Sequence, residues 1–333
     1  MNPPGIGSDP IRWGILGTGN IARQFATGLS AVEDAELAAV GSRAPATAES
    51  FGKQFDIPRR YATYEELVAD PELDVIYVAS PHPMHRDNSI LCLEAGKAVL
   101  CEKSFTVNAA MADDVIGVAR ERGLFLMEAM WTRFLPAVIK IRQWLEEGAI
   151  GDVRMVQADF GFRAGFNPTG RLFDPALGGG ALLDVGIYVI SFASMVLGPH
   201  PEAIESTAEI GATGIDEQSA FLLRYSGGEI AVLSCGVRTS TPVEALIIGT
   251  EGRIRLHAPF YRGTRVTLTS GKNETQLDFP LEGNGYNYQA MAVGECLRAG
   301  ELESETMPLD ETRAIVDIMD RIRAQWGVKY PME

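Results

Sequence analysis

A short apolar run that ends in two closely spaced glycines constrains the fold of this chain more than any other feature. Residues 11–16 (IRWGIL) have the composition of a buried strand, and residues 17–22 (GTGNIA) follow as a tight turn that opens a helix. In such a unit Gly17 permits the turn, Gly19 lets the backbone approach a pyrophosphate, and the small Ala22 lets helix and strand pack closely. The motif predicts a dinucleotide-binding α/β unit, and an ordinary glycine turn is the alternative.

The start of the helix after these glycines supplies groups that bind phosphate. Backbone amides at a helix N-terminus point toward the ligand, and the helix dipole favours negative charge there. A second apolar strand at 36–40 (ELAAV) follows, as a βαβ unit requires. We therefore expect the cofactor phosphates at five consecutive residues, which are Gly17, Thr18, Gly19, Asn20 and Ile21.

The end of the second strand predicts which dinucleotide binds. An NAD site normally has Asp or Glu there, about 20 residues after the glycines, to accept hydrogen bonds from the ribose. This chain has Ser42 and Arg43 instead. An arginine forms charge-assisted hydrogen bonds with a 2′-phosphate, and no carboxylate repels the anion. We predict NADP as the cofactor, with NAD as the second choice; in the alternative interpretation Arg43 is only a solvated residue at a helix start.

The order of apolar segments divides the chain into two domains. Before Trp131, short apolar strands alternate with helix-like stretches, which is the pattern of a doubly wound parallel sheet. An amphipathic helix follows at about 136–147, and from Val153 onward period-2 strands dominate. We predict a Rossmann domain over 1–130, an α+β domain over 131–333 with a large, mostly antiparallel open sheet, and a closing helix at about 309–326.

Two loops follow buried strands of the first domain and emerge at the edge where ligands bind in open α/β sheets. The first loop contains Ser80, His82 and His85, which either line the nicotinamide side or cap the next helix. A metal site is not expected, because no cysteine or carboxylate nearby completes a ligand set with the two histidines. The second loop contains Glu102 and Lys103, and the lysine is either a surface charge or a functional cation that faces the cofactor.

A glycine-rich turn at 178–180 leads into a helix that carries a pair of functional groups. Asp184 and Tyr188 are four residues apart, so on a helix their side chains share one face and address a single substrate. A tyrosine normally titrates near pH 10, so acid–base work at neutral pH requires a nearby cation, and Lys103 is the candidate. The alternative is that Tyr188 is a half-buried core tyrosine with Asp184 as its partner.

These motifs, in this order, resemble the glucose-fructose oxidoreductase/inositol dehydrogenase (Gfo/Idh/MocA) family. The resemblance rests on the G-x-G-x-x-A turn, the Ser-Pro-x-x-x-His stretch at 80–85, the Glu102–Lys103 pair and the segment 178–188, and it covers nearly the whole chain. The hallmark of the family is Glu-Lys-Pro. Here Ser104 replaces the proline, which would preset the backbone after the lysine. The resemblance therefore implies the cation but not the local peptide geometry.

Residues 127–134 (MEAMWTRF) resemble one branch of that family, which contains dimeric dihydrodiol dehydrogenase, NADP-dependent D-xylose dehydrogenase and glucose-fructose oxidoreductase. The resemblance implies that Trp131 and Arg133 help to bind the cofactor, whereas the residues alone are equally compatible with interdomain packing. The roles it implies are proton exchange by Tyr188, polarisation of the substrate oxygen by Lys103 and orientation of the substrate by Asp184.

The residues and the resemblance together predict an NADP-dependent oxidoreductase. It would transfer a hydride between nicotinamide C4 and a carbon that bears a secondary alcohol or a carbonyl, on a sugar or a cyclic trans-diol. Arg163 and Phe166, in the loop before the glycine turn, are candidate substrate contacts. Two alternatives stay open. One is a redox-assisted glycosidase that retains its NAD, and the other is a non-catalytic NADP-sensing protein, which would not need Lys103, Asp184 and Tyr188 together.

Composition and charge argue against several other classes of protein. The net charge of −15 opposes binding to nucleic acid or an anionic membrane, since both require a basic surface. The four cysteines show no C-x-x-C spacing, which is typical of reduced thiols in a cytoplasmic protein. Residues 1–10 lack a basic region followed by an apolar core, so we expect a flexible leader and no signal peptide. No apolar run is expected to reach membrane-spanning length.

Two strands of the second domain predict self-association. Residues 220–223 (AFLL) and 245–248 (ALII) do not alternate apolar with polar residues, so we expect both faces of these strands to be buried. One face would pack on helices of the same chain. We predict that the other face packs on a second copy, giving a homodimer or a homotetramer joined through the C-terminal sheets.

Overall fold

The computed structural model describes residues 9–333, so the predicted leader lies outside the described residues except for its last two positions. The chain divides into two compact units. The described residues of the first unit are 9–106, 110–131 and 282–312, and those of the second are 107–109, 132–281 and 313–333.

The strands and helices alternate in the first third of the chain, and strands dominate after residue 150. The strands are β1 Ile11–Leu16, β2 Ala35–Gly41, β3 Arg59–Tyr61, β4 Val75–Val78, β5 Ala98–Glu102, β6 Leu126–Ala129, β7 Val153–Gly161, β8 Ala203–Ile210, β9 Asp216–Arg224, β10 Ile230–Gly236, β11 Ala245–Gly249, β12 Gly252–Leu256, β13 Arg265–Ser270 and β14 Asn273–Asp278. The helices are α1 Asn20–Leu29, α2 Pro45–Gln54, α3 Tyr64–Val68, α4 His85–Glu94, α5 Ala109–Arg122, α6 Pro136–Glu146, α7 Ile187–Leu197, α8 Tyr286–Ala299 and α9 Leu309–Trp326.

The first unit is built on a parallel sheet in the order β3-β2-β1-β4-β5-β6. Strands β4 and β5 are buried along their whole length, as expected for parallel strands that helices cover on both faces. The strand order reverses between β1 and β4, and open α/β sheets bind ligands at such a reversal, beyond the carboxyl ends of the strands. The predicted Rossmann fold is confirmed, although β3, α2 and α3 were not predicted.

The second unit contains an eight-stranded sheet in the order β14-β13-β12-β11-β7-β10-β9-β8. All neighbouring strands are antiparallel except β7 and β10, which are parallel. Helix α7 packs on β7 and β10, and α6 packs on β12 and β13. The mostly antiparallel sheet is therefore confirmed, and β9 and β10 form a hairpin within it.

The outer face of this sheet carries apolar side chains that are partly exposed in the single chain. Along β9, Phe221 and Leu223 are buried, but Leu222 between them is 45% exposed. On β10, Val232 is 38% exposed. Leu246 and Ile248 on β11 are likewise only half-buried, so the single chain buries one face of these strands, and burial of the other face against a second copy stays a prediction. Apolar side chains thus lie on the face that no helix covers within residues 9–333.

The chain crosses between the two units more often than the predicted boundary implies, and the largest such segment is 282–312. Residues 282–312, which include α8, belong to the first unit and not to the second. They pack closely on it, because a Cβ atom at Gly28 of α1 would lie 2.8 Å from the Tyr286 side chain and 3.0 Å from the Asn287 amide. The Leu126 amide of β6 also donates a hydrogen bond to the Leu302 oxygen at 3.1 Å.

One helical segment is long and apolar enough to cross a membrane, judged by length and composition alone. It covers Pro175–Leu197, and 83% of its most apolar window is buried inside the protein. The expectation that no apolar run reaches spanning length is therefore wrong in terms of length. A helix that is apolar on all sides is also what the core of a protein requires, and α7 occupies such a position.

Candidate active site

The glycine turn between β1 and α1 has the geometry that a dinucleotide requires. Gly17 has a φ of +106°, and a Cβ atom there would lie 2.9 Å from the Ala79 backbone oxygen, so the turn needs glycine on both counts. A Cβ atom at Gly19 would meet no heavy atom of the described residues within 4 Å. The helix begins at Asn20, and no side chain in the described part of the chain caps it. The amides of this first turn are therefore not capped by a side chain, as a phosphate-binding helix start requires.

Two hydroxyls and one guanidinium lie close together after β2, at the start of α2. Ser42 Oγ lies 2.6 Å from Thr47 Oγ1. Arg43 is exposed; burial raises the pKa of the Tyr64 hydroxyl, and the Arg43 guanidinium lowers it. These groups and the helix N-terminus can together bind an anion such as a 2′-phosphate. Thr47 was missed by the sequence analysis because α2 itself was not identified.

His85, the first residue of α4, is buried and holds two loops together. Its Nε2 lies 2.7 Å from the Ser80 oxygen, and its Nδ1 lies 2.8 Å from the Ser104 oxygen. Burial lowers the pKa of this imidazole, while the contacts with backbone oxygens raise it. Both ring nitrogens are thus engaged by the backbone, so the geometry gives no support to a direct cofactor or metal contact by His85.

Ser80 and His82 lie at the carboxyl end of β4, as predicted. The Ser80 hydroxyl accepts a hydrogen bond from Asn88 Nδ2 at 2.9 Å. The His82 ring is also buried and stands edge-on to the His85 ring, with centroids 5.6 Å apart. Asn88 thereby fixes the side chain of Ser80, and the loop keeps its backbone at the edge of the sheet where a nicotinamide would bind.

The loop after β5 carries Lys103 between buried groups. Glu102 accepts hydrogen bonds from the Tyr77 hydroxyl and, at 3.2 Å, from the Lys103 amide. The Lys103–Ser104 peptide bond is cis. The amide that follows Ser104 donates to Glu128 at 3.1 Å. The loop is therefore anchored on both sides of the half-buried lysine, although serine replaces the proline of the family hallmark.

Trp131 and Arg133 belong to different units. Trp131 is buried in the first unit and stacks on Tyr286, with ring centroids 4.3 Å apart and planes at 17°. Arg133 is buried in the second unit, where its guanidinium donates to the hydroxyl of Ser191 at 3.0 Å and to its backbone oxygen at 2.8 Å. Tyr286, which the sequence analysis missed, shapes the position of Trp131, and Arg133 anchors α7.

Asp184 and Tyr188 lie on the helix that follows the glycine-rich turn. Residues Leu182–Gly186 form a π-helical turn rather than the expected α-helix, and α7 continues from it. A Cβ atom at Gly186 would lie 3.0 Å from Cys235 Sγ, so the glycine lets this wider turn approach β10. Asp184 and Tyr188 are each 7% exposed. In the wider turn residues four apart stay near one face, and π-turns are frequent at functional sites.

Arg171 is an additional charged group beside this pair. Its Nη1 donates to Asp184 Oδ1 at 2.7 Å, and the arginine side chain is half exposed while that of Asp184 is nearly buried. A partly buried ion pair of this kind fixes the orientation of the carboxylate. Arg171 was missed because it lies in an irregular loop, 13 residues before its partner.

Aromatic rings surround Tyr188 within the second unit. The Phe160 ring centroid lies 5.4 Å from that of Tyr188, and the Tyr261 centroid lies 5.8 Å from it. Phe160 and Tyr261 stack on each other at 4.5 Å. We call Phe160, Tyr188 and Tyr261 the aromatic wall. It places aromatic rings next to two phenolic hydroxyls, and small-molecule sites are commonly lined by aromatic side chains with a few polar groups.

The loop between β7 and the glycine turn holds the predicted substrate contacts. Phe166 is 47% exposed and packs edge-on against Phe173, and the Arg238 guanidinium lies 5.6 Å from both ring centroids. Arg163, Phe166 and Arg238 line an open cavity of about 400 Å³. The two predicted contacts therefore do lie together, beside an arginine that the sequence analysis did not single out.

The predicted residues form two groups. The first unit brings its cofactor residues to the carboxyl edge of the parallel sheet, and the second unit brings Asp184 and Tyr188 together. Lys103 lies in the first unit, so its effect on Tyr188 stays a prediction.

Two family descriptions match this chain. Residues 11–130 match "Oxidoreductase family, NAD-binding Rossmann fold", and residues 138–255 match "GFO/IDH/MocA C-terminal domain".

Known proteins are similar to the chain over nearly its full length. The trans-1,2-dihydrobenzene-1,2-diol dehydrogenase of Mus musculus is 39% identical over 334 residues, which cover 97% of this chain and 99% of the mouse protein. A 3-ketoreductase from Actinomadura kijaniata, solved with NADP and TDP-benzene, has a TM-score of 0.84 at 26% identity and covers 95% of this chain and 98% of its own. An aldose-aldose oxidoreductase from Caulobacter crescentus, complexed with glycerol, has a TM-score of 0.88 at 26% identity, with coverage of 96% and 98%. With both domains matched, this chain belongs to the Gfo/Idh/MocA family of oxidoreductases and is an enzyme with an NAD-binding Rossmann fold.

Proposed function

We propose that this chain is an NADP-dependent dehydrogenase that acts on cyclic trans-diols or sugars. The observation that carries the proposal is the pairing of Asp184 and Tyr188 on one buried helix face, beside the aromatic wall. The similarity to trans-1,2-dihydrobenzene-1,2-diol dehydrogenases over 97% of the chain supports a diol as substrate.

The chemistry follows from the groups that the second unit brings together. Tyr188 accepts the proton of the reacting hydroxyl during oxidation and returns it during reduction. Asp184, held by Arg171, accepts a hydrogen bond from the neighbouring hydroxyl and so orients the ring. The faces of Phe160 and Tyr261 pack on the apolar part of that ring. When bound, NADP supplies the hydride acceptor or donor at nicotinamide C4.

Lys103 completes the proposed acid–base set. Its ammonium group would polarise the substrate oxygen and favour the phenolate form of Tyr188.

The preference for NADP rests on the residues after β2. Ser42, Thr47 and Arg43 supply two hydroxyls and a guanidinium, and Ser42 stands where an NAD-specific site has its carboxylate. The structural relative from Actinomadura kijaniata was solved with NADP, which agrees with this choice.

A substrate screen tests the proposal. Purified enzyme is incubated with NADP and a panel of trans-dihydrodiols, aldoses and anhydro-sugars, and the absorbance of NADPH is followed in both directions. We expect NADPH in stoichiometric amounts with at least one diol or aldose. Cleavage of a glycosidic bond without NADPH release would instead favour a redox-assisted glycosidase, and NADP binding without turnover of any compound would favour a sensor.

We further propose that the enzyme is a cytoplasmic homodimer or homotetramer joined through the outer face of the second-unit sheet. The exposed apolar side chains on that face, Leu222 and Val232, support burial against a second copy. All four cysteines are buried free thiols, which agrees with a reducing compartment. Light scattering checks the assembly, and a particle of 36 kDa at micromolar concentration would contradict it.

A further inference from the structure

A buried carboxylate from a distant strand contacts the start of the helix that carries Asp184 and Tyr188. Asp216, the first residue of β9, has no solvent exposure. Its Oδ2 accepts a hydrogen bond from the Leu182 amide at 2.7 Å. Leu182 opens the π-helical turn, where backbone amides have no partner within the helix. In most helices the N-cap residue supplies the acceptor for such an amide. Here Asp216, 34 residues along the chain, supplies it.

The second oxygen of this carboxyl group lies against the glycine-rich turn. Asp216 Oδ1 has no hydrogen-bond partner among the described residues. A Cβ atom at Gly180 would lie 2.4 Å from it, and Gly180 has a φ of +119°. The turn thus needs glycine at this position for its backbone conformation and for the approach of the carboxyl group.

The segment after α9 holds the same turn from another side. The Tyr330 hydroxyl donates to the Gly179 oxygen at 2.7 Å. The Arg323 guanidinium lies 5.0 Å from the centroid of the Tyr330 ring and is held by Asp320 and Glu333. The start of β9 and the segment after α9 therefore both hold this turn. Its three glycines have no side chains that could stabilise it.

We propose that Asp216 is a positioning residue of the active site, whose carboxyl group fixes the glycine-rich turn and thereby the placement of Asp184 and Tyr188. This inference rests on the proposed function of that pair. Asp216 contacts neither substrate nor cofactor in this account, because it is buried and its one hydrogen-bonded oxygen is used by the Leu182 amide.

The protonation of Asp216 makes this positioning dependent on pH. Burial raises the pKa of its carboxyl group to about 7, while the Leu182 amide and Arg323 lower it. An ionised carboxylate accepts hydrogen bonds from amides more strongly than a neutral carboxyl group does. The hydrogen bond to the turn is therefore stronger above neutral pH than below it. The titratable or charged groups that interact with Asp216 are Arg323 from α9, Tyr330 from the segment after it and Cys235 from β10. Glu333 acts in turn on Tyr330, and Asp184 on Cys235.

Two variants of Asp216 and one matched control test the proposal. Asp216→Ala removes the acceptor, and Asp216→Asn keeps an acceptor oxygen but cannot ionise. Asp159→Asn is the control, because Asp159 also accepts a backbone hydrogen bond, from the Val243 amide at 2.7 Å, in the same unit. The measurements are kcat and KM across pH, the Kd for NADP, and hydrogen–deuterium exchange of the peptide 178–188.

We expect Asp216→Ala to lower kcat by about 10- to 100-fold, which is the effect of a small misplacement of reacting groups, with an unchanged Kd for NADP. Exchange of the peptide 178–188 should become faster. Asp216→Asn should recover most of the exchange protection and of kcat, but lose the change in kcat/KM near pH 7. Asp159→Asn should behave as the wild type.

Three results would overturn the proposal: unchanged exchange in Asp216→Ala, an equal loss of kcat in Asp159→Asn, or a wild-type pH profile in Asp216→Asn. The exchange measurement needs no substrate. If the wild-type enzyme oxidises nothing in the screen, the proposed function fails, whereas exchange at 178–188 still decides whether Asp216 holds the turn.

Discussion

In the first unit the proposed phosphate-binding groups are backbone amides within a few residues of a strand end. In the second unit the proposed catalytic side chains are held by residues far along the chain. Gly17 and Gly19 act through local backbone geometry. Asp184 and Tyr188 depend on Arg171, Asp216 and Phe160. A site built from backbone can be identified from a short motif, but a site built from side chains of several elements cannot. The two units should therefore respond to mutation in separable ways.

The largest expected effect is on turnover and is confined to the second unit. Tyr188→Phe removes the hydroxyl and keeps the ring of the aromatic wall, so kcat should fall by the ~10²–10⁴-fold range of general acid–base catalysis. The Kd for NADP should not change, because the phosphate sites belong to the first unit. Steady-state kinetics and fluorescence titration measure the two quantities. Near-normal kcat in a folded Tyr188→Phe protein would return Tyr188 to the role of a core tyrosine.

The next effect concerns the pH dependence of stability in the second unit. The folded pKa of Asp216, about 7, is above the value near 3.9 of an unfolded aspartate. The folded state therefore binds the proton more tightly, so its stability contribution is complete below about pH 4 and is lost as the pH rises to 7, on the order of 4 kcal/mol. Asp216→Asn should show a flatter dependence of the free energy of unfolding between pH 5 and pH 8, measured with urea. Parallel curves for the two proteins would contradict the assignment.

A smaller effect is expected on cofactor choice, and it should be confined to the first unit. Arg43→Asp replaces the guanidinium that would bind the 2′-phosphate with a repelling carboxylate. The preference for NADP over NAD should fall by roughly 1.5–3 kcal/mol, the strength of a hydrogen bond to a charged group. The ratio of the two Kd values measures this, and kcat at saturating cofactor serves as the control. An unchanged ratio would remove Arg43 from the site.

The smallest effect on catalysis is expected at the outer face of the sheet. Leu222→Glu places a charge on the exposed apolar face and should dissociate the proposed dimer, as seen by light scattering. The kcat of the variant should stay close to that of the wild type, since Leu222 points away from the helices that carry Asp184 and Tyr188. Glu205→Gln on the neighbouring strand β8 is a control that adds no charge. A monomeric wild-type protein would refute the assembly before any variant is made.

The sequence alone was sufficient where structure is local. The strand–turn–helix at 11–22 and the helix at 309–326 lie where they were predicted, because apolar spacing and glycine chemistry act over neighbouring residues. Asp216 could not be predicted, since its partner Leu182 is remote in sequence and no spacing rule joins a strand to a distant helix start. The role of His85 was also hidden. Its two acceptors are backbone oxygens, which no side-chain pattern reveals.

The apolar run at 220–223 shows a different limit. It predicts two buried faces. The single chain buries the face that carries Phe221 and Leu223, and burial of the other face by a second copy stays a prediction. Apolar residues on both faces of a strand predict that both faces are buried. They do not show whether the same chain or a second chain covers each face. Leu222 is thus exposed in the single chain, and we propose that it is buried in the pair of chains.

The return of residues 282–312 to the first unit has a consequence for biosynthesis. The ribosome synthesises residues 1–131 long before it synthesises α8. Until then, the surface of α1 that contacts α8 and the edge of β6 that bonds to Leu302 stay uncovered. Trp131 meanwhile lacks the ring of Tyr286 on which it stacks. The first unit is therefore a discontinuous domain that is completed only after most of the second unit has been translated. Gene fragments that end near residue 131 encode an unfinished domain rather than an independent cofactor-binding module.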